Sequence, residues 1–288
     1  MSSKTRRTRR GAAVGLLPFG AYLLVFLALP TVLALGTGFF DADGAPTLDN
    51  LLALGDPVVL TTFGNSIALS ALTAVLGALL GAVVSYALLG ARPEGALRSV
   101  VDAASGVLAQ FGGVPLAFAF IATMGLNGLV TVFLKTTLGL DPYADGIWFY
   151  EMPGLILPYL YFQVPLMVIV FLPALEALRP QWVEANATLG GTRLAYWRHI
   201  GLPVLAPSFI GSLLLLFANA FSAYATAAAI ISQGSQIVPL QIRAALTSET
   251  VLGRANLAGA LALGMIVVMV VVMSAYSLLE RRASRWQR

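Results

Sequence analysis

"SIALSALTAVLGALLGAVVSYALLG", residues 66–90, contains no charged residue. A helix needs about 20 apolar residues to cross the hydrocarbon core of a bilayer. In lipid, a spanning segment must pair its own backbone polar groups, and a helix does so. Six stretches of this kind follow one another, at 12–37, 61–90, 99–125, 153–175, 204–232 and 255–279. The chain is 58% hydrophobic and 10% charged, far below the roughly 25% charge of soluble domains. The expectation is an all-α, polytopic membrane protein with six transmembrane helices. It forms one domain over 1–288, with a core at about 61–280 and short basic tails at 1–11 and 280–288.

The quoted stretch also carries small residues at helical spacing, Ser70, Ala74, Ala78 and Ala82 beside Gly77, Gly81 and Ser85. Small side chains let helices approach closely, so this span is expected inside the bundle. Gly112, Gly113 and Pro115 fall in the third stretch, and Pro158, Pro165 and Pro173 in the fourth. Both are expected to be broken helices, tolerated where protein or a water-filled cavity satisfies the freed backbone groups.

The pI near 9.6 reflects topology and implies no nucleic-acid partner. Lys4, Arg6, Arg7, Arg9 and Arg10 precede the first stretch, Arg92 and Arg98 follow the second, and Arg179, Arg193 and Arg198 follow the fourth. Arg281, Arg282, Arg285 and Arg288 follow the sixth, and only Lys135, Arg243 and Arg254 fall on the opposite side. The positive-inside rule therefore places both ends and the loop after the fourth stretch in the cytoplasm. "KTRRTRR" resembles the start of a signal peptide, but the apolar run after it is too long for one, so it reads as a retained span.

Several chemistries are missing. The chain has no cysteine, one histidine, His199, and two lysines, Lys4 and Lys135. A P-loop needs G-x-x-x-x-G-K-[ST], and Leu134 stands before Lys135 where that loop has glycine. No metal site is expected, and no nucleophile is paired with a base. Asp102, Glu151, Glu176 and Glu280 lie at span ends or in loops, which disfavours an ion-driven secondary transporter with carboxylates inside the membrane.

The loop after the fourth stretch is as long as a span. Pro180 suits the first position of a helix, "QWVEANATL" follows, and Gly190-Gly191 can end it in a left-handed turn. Glu184 is expected in the first turn, where the helix dipole favours it. Trp182, Ala185 and Leu189 share one apolar face. Thr192 can cap a second helix, "RLAYWRHI", expected to end at Gly201 and Pro203. Helices this short persist only when they pack against something.

Glu184-Ala185, Gly190 six residues after the Glu, Ile200, and Leu202-Pro203 resemble the EAA loop of bacterial ABC importer permeases, with Asn186 where that family has a second Ala. The resemblance extends over about 61–280. It implies a permease subunit of a binding-protein-dependent importer in the plasma membrane of a bacterium. Trp182, Glu184, Ala185, Gly190, Ile200, Leu202 and Pro203 would form the loop that docks on a separate ABC ATPase. The implied partners are ABC ATPase subunits, a second permease subunit (homologous or identical), an extracytoplasmic solute-binding protein and the lipid bilayer. The chain would bind no cofactor itself, ATP being used by the partner. Leu189 stands where sugar-type permeases often carry Asp, so the resemblance favours a small charged solute, a polyamine such as spermidine or putrescine first. Sugars, oxyanions, iron and thiamine are the alternatives. The expected pathway is polar: Asn219, Ser222 and Thr226 on one face of span five, with Tyr224 off it; Tyr159 and Gln163 on span four; Gln110 on span three.

Overall fold

The computed structural model describes residues 17–92, 94–231, 237–247 and 255–284. The basic tail at 1–11, Arg254, Arg285 and Arg288 lie outside them. Among the described residues the structure is helical, apart from one bridge of Phe40 with Pro46. Among the described residues, six helical runs are long and apolar enough to cross a membrane, namely Leu17–Phe39, Pro57–Leu89, Gly113–Thr137, Met152–Glu176, Arg193–Ser222 and Asn256–Ser277. The chain divides into two compact units, Met1–Leu60 with Gln241–Val267, and Thr61–Leu240 with Val268–Arg288.

In the first unit, α1 (Leu17–Phe39) is apolar on every side and its spanning window is unburied. Pro30 lacks an N–H and its ring would meet the Phe26 carbonyl in a regular helix. The turn before it widens into a π-helix, Leu24–Ala28, closed by Leu29 N–H on the Leu24 carbonyl. At the far end, Gly38 and Gly259 allow backbone-to-backbone packing. A Cβ at Gly38 would stand 2.8 Å from the Ala260 nitrogen, and one at Gly259 would stand 2.4 Å from Thr37 Oγ1. Asn256 Nδ2 donates to the carbonyls of Phe40 (2.9 Å) and Asp41 (2.7 Å), so one amide side chain holds the loop after α1.

The second unit contains most of α2 (Pro57–Leu89), then α3 (Ala96–Gln110), α4 (Gly113–Met124) and α5 (Leu129–Thr137). It continues through α6 (Ile156–Glu176), α7 (Pro180–Thr188), α8 (Arg193–Ser222), α9 (Ala225–Ile230) and the start of α10 (Val238–Thr247). The latter part of α11 (Ala255–Ser284) also belongs to it. The small-residue ridge of α2 packs as expected, with Ser70, Ala74, Ala78 and Ser85 buried. A Cβ at Gly77 would lie 2.9 Å from Gln163 Cβ, and one at Gly81 2.4 Å from Met167 Cβ. The two glycines thus set the approach of α2 to α6. Phe149, Leu155, Tyr159, Leu116 and Ile230 form the buried centre of this unit.

Three expectations are corrected. The break expected in the third apolar stretch, 99–125, is present at Phe111-Gly112, but it parts two helices, α3 and α4, so the stretch is not one span. Gly113 has φ +75, a left-handed conformation that glycine adopts at little cost, and the apolar helical run of spanning length is Gly113–Thr137. The fourth stretch is not broken, since α6 is continuous through Pro165 and Pro173. The short helix after Thr192 does not end at Gly201 and Pro203. It runs through a π turn, Trp197–Gly201, directly into span five.

Because Gly81 faces Met167 and Gly106 has nothing within 4 Å, Gly81→Ala and Gly106→Ala should differ in sign. Overpacking at position 81 should cost about 1–3 kcal/mol, whereas removing a helical glycine at position 106 should gain roughly 0.5–1 kcal/mol. Thermal unfolding of the two variants in detergent, beside the parent, measures this.

Candidate functional site

Two places in the second unit gather the residues singled out in the sequence, a structured platform between α6 and span five, and a polar cavity beside two helix breaks.

The platform begins at Arg179, extended at φ −77 and ψ 128 as the residue before a proline favours. Its guanidinium lies 6.0 Å from the centre of the Trp182 ring. Helix α7 starts at Pro180, which makes Glu184 its fifth residue, past the first turn in which it was expected. The favourable dipole contact is therefore weak, since that effect fades beyond the first turn. The helix stops at Gly190, φ +77, as predicted. Asn186, the departure from the motif, has a local role. Its Nδ2 donates to the Thr192 carbonyl at 3.2 Å, while its own carbonyl accepts Gly191 N–H at 2.8 Å. Thr192 Oγ1 accepts Ala195 N–H at 3.2 Å and caps the next helix.

From there the chain reaches the membrane without interruption. Pro203 cannot donate to the His199 carbonyl, so Leu202 N–H bonds back to Trp197 across a π turn. Gly201 is buried against the Trp197 ring, where a Cβ would lie 2.6 Å from a ring carbon. Trp197 meets Tyr86 edge-on at 5.5 Å. The platform presents an apolar exterior. Ala185 is exposed, Leu189 is 88% exposed and Leu194 77%. Trp182 and Ile200 are half-buried, and Glu184, Gly190, Leu202 and Pro203 are exposed.

The cavity, of about 290 Å³, is lined by Gln110, Gly112, Gly113, Phe162, Asn219, Ser222, Tyr224 and Thr226, with Ala109, Ala223 and Ala225. It lies where α3 gives way to α4 and α8 gives way to α9. Thr226 Oγ1 accepts Gly113 N–H at 2.9 Å and lies 3.3 Å from the Gly113 carbonyl, which it can donate to. Tyr159 Oη donates to the Ala223 carbonyl at 2.9 Å. One hydroxyl on each side thus satisfies backbone groups that the breaks release.

Four of the six pathway residues, Gln110, Asn219, Ser222 and Thr226, meet at this cavity. Tyr159 and Gln163 do not line it and are fully buried. Gln163 Nε2 donates to Thr73 Oγ1 at 2.9 Å, between α6 and α2. Tyr224 was expected off the polar face and lines the cavity instead, because α8 ends at Ser222 and the helical spacing used for Thr226 does not carry across the break. Nothing in "SAYATA" announces that break, which contains neither Gly nor Pro. Among the described residues, the lining holds no carboxylate, lysine or arginine.

Six apolar helices and a structured loop leading into the fifth define a multi-pass membrane protein. The family model for the binding-protein-dependent transport system inner membrane component matches residues 96–285, and the chain belongs to that family. A spermidine/putrescine transport system permease protein PotC homolog of Mycoplasma genitalium is 27% identical over 173 residues, covering 60% of this chain and 55% of the relative. The ferric transport system permease protein FbpB of Actinobacillus pleuropneumoniae is 24% identical over 201 residues, covering 68% of this chain and 28% of the relative. This chain therefore spans 55% and 28% of the lengths of these two relatives. In fold it resembles a chain from the crystal structure of a bacterial ABC transporter involved in the import of the acidic polysaccharide alginate. The TM-score is 0.75 at 18% identity, covering 97% of this chain and 98% of that one.

The absence of cysteine makes the cavity directly testable. Ser222→Cys and Asn219→Cys should react with a small membrane-permeant maleimide. Gln163→Cys, buried between α2 and α6, should stay unlabelled until the protein is unfolded; mass spectrometry of the labelled protein distinguishes the two classes.

Proposed function

We propose that this chain is the permease subunit of a binding-protein-dependent importer, forming the membrane passage for a small charged solute and coupling it to separate ABC ATPase subunits. The observation that carries this is continuity. Helix α8 begins in the platform at Arg193 and ends at the cavity with Asn219 and Ser222, a rod of about 45 Å. A pull on the platform acts on the cavity wall through an unbroken helix. Trp182, Glu184, Ala185, Gly190, Ile200, Leu202 and Pro203 make up the platform's docking loop, and the exposed Leu189 and Leu194 supply apolar contact area. ATP is bound by the partner. A second permease subunit completes the passage, and an extracytoplasmic binding protein delivers the solute. The ends of the chain and the platform face the cytoplasm, as the charge asymmetry requires.

The solute we favour is a polyamine such as spermidine or putrescine. Support comes from the relatives named for those solutes and from the Phe162 and Tyr224 rings beside the Gln110 and Asn219 amides. Aromatic faces and carbonyl oxygens can hold an ammonium group weakly. The lack of a carboxylate in the lining means that selection rests with the binding protein.

Transport by the complex reconstituted in proteoliposomes tests the coupling role. Glu184→Lys should lose transport while remaining in the membrane at parental levels. Gly190→Val should do the same, since its left-handed conformation costs a residue with a side chain roughly 1–2 kcal/mol. Parental transport by both variants would remove the coupling assignment. Calorimetry on the partner binding protein tests the solute. Micromolar binding of spermidine or putrescine is expected, and binding of a neutral sugar with no affinity for amines would overturn the choice.

A further inference from the structure

Arg98 is the third residue of α3, with its side chain 13% exposed. Its Nε donates to Asp102 Oδ2 at 2.9 Å, and its Nη2 donates to Glu176 Oε1 at 2.6 Å. Asp102 is four residues further along the same helix, so that bond aims the guanidinium and crosses no interface. Glu176 is the last residue of α6 and stands four residues before Pro180, where the platform helix opens. A carboxylate at a helix C-terminus faces the negative end of the dipole, an unfavourable placement that the arginine offsets. Arginine suits the position because its planar fork can bond two carboxylates in fixed directions.

Helix α3 packs along α6, with Val101 against Leu88, Val168 and Leu172. Its other end, Ala109 and Gln110, forms part of the cavity wall. From Arg98 to Gln110 is about 18 Å of helix. The ion pair therefore fastens one end of a rigid rod to the platform junction, and the other end of the rod borders the cavity. On the permease function argued above, we propose that Arg98 is a positioning residue that clamps α3 to the α6–α7 junction, so that displacement of the platform is transmitted along α3 to the cavity. This is a second line of transmission, separate from α8.

The test needs no knowledge of the solute. Gln110→Cys reports on the end of α3 and Asn219→Cys on the end of α8. Each is labelled with N-ethylmaleimide in the complex assembled with its ATPase, with and without ATP. With Arg98 and Glu176 intact, both labelling rates should change on ATP addition. In Arg98→Met, and in the isosteric Glu176→Gln, the ATP-dependent change at Gln110→Cys should fall about five-fold or more, the lower range of site-to-site couplings. The change at Asn219→Cys should persist, since α8 reaches the platform independently, and Arg98→Lys should retain part of the response at Gln110→Cys. An unchanged response at Gln110→Cys in both clamp variants would overturn the proposal. So would equal loss at both reporters, which would mark a general defect of assembly. If no ATPase assembles with the parental chain and neither reporter responds, the permease function itself fails and the clamp falls with it.

Discussion

The Thr226 hydroxyl and the Gly113 peptide join the two helix breaks that border the cavity. Two helices that lie within apolar surroundings stop in mid-course, α3 before α4 and α8 before α9, and each break frees backbone groups that lipid cannot satisfy. An unpaired buried N–H costs about 1–3 kcal/mol. Because Thr226 can both accept from and donate to Gly113, a side chain beside the α8 break supplies the partner that the α3 break lacks. Tyr159, buried in the core, serves the Ala223 carbonyl in the same way. The cavity exists because these bonds let the helical segments part and remain satisfied. Its polar lining follows from the residues that flank the breaks.

Proline imposes the second constraint. At Pro30 and again at Pro203 the helix absorbs the missing donor by widening one turn to the π form, with Leu29 N–H on Leu24 and Leu202 N–H on Trp197. Without that adjustment the Leu-Pro at the end of the motif would stop the helix, and the platform would be joined to span five by a flexible hinge. With it, platform and span form one mechanical element. Gly201 has a consequence here as well, because only a residue without Cβ lets the Trp197 ring lie flat against the turn it widens.

Much of this was legible in the sequence because it depends on local rules. Uncharged runs of spanning length located five of the six apolar helical runs and misplaced the third, the glycine and alanine spacing of residues 66–90 identified the face of α2 that meets α6, and Gly190 marked the end of α7. The inaccuracies have a common origin in tertiary context. Pro165 and Pro173 resembled breaks, but α6 carries them within a continuous helix. Pro203 resembled a stop, and a π turn bridged it. The end of α8 at Ser222 has no local cause, since "SAYATA" would extend a helix, and it is set by partners 64 and 113 residues distant, Tyr159 and Gly113. For the same reason helical spacing excluded Tyr224, which the break swings into the lining beside Asn219, Ser222 and Thr226.

Charge distribution separates the two tasks of the molecule. The lining residues of the cavity carry no charge, so a solute finds dipoles, amides and aromatic faces there, whose attraction is weak and easily exchanged. A carboxylate in the same place would hold a cation more tightly and slow its departure, because a buried counter-charge is costly to leave unpaired. The described ionised groups of the second unit lie instead outside the cavity, Arg98 with Glu176 linking α3 to the end of α6. A passage that binds weakly cannot discriminate strongly, since specificity is a difference of affinities. On the function proposed above, selection is exercised before the solute enters, and the work of this chain is confined to moving it.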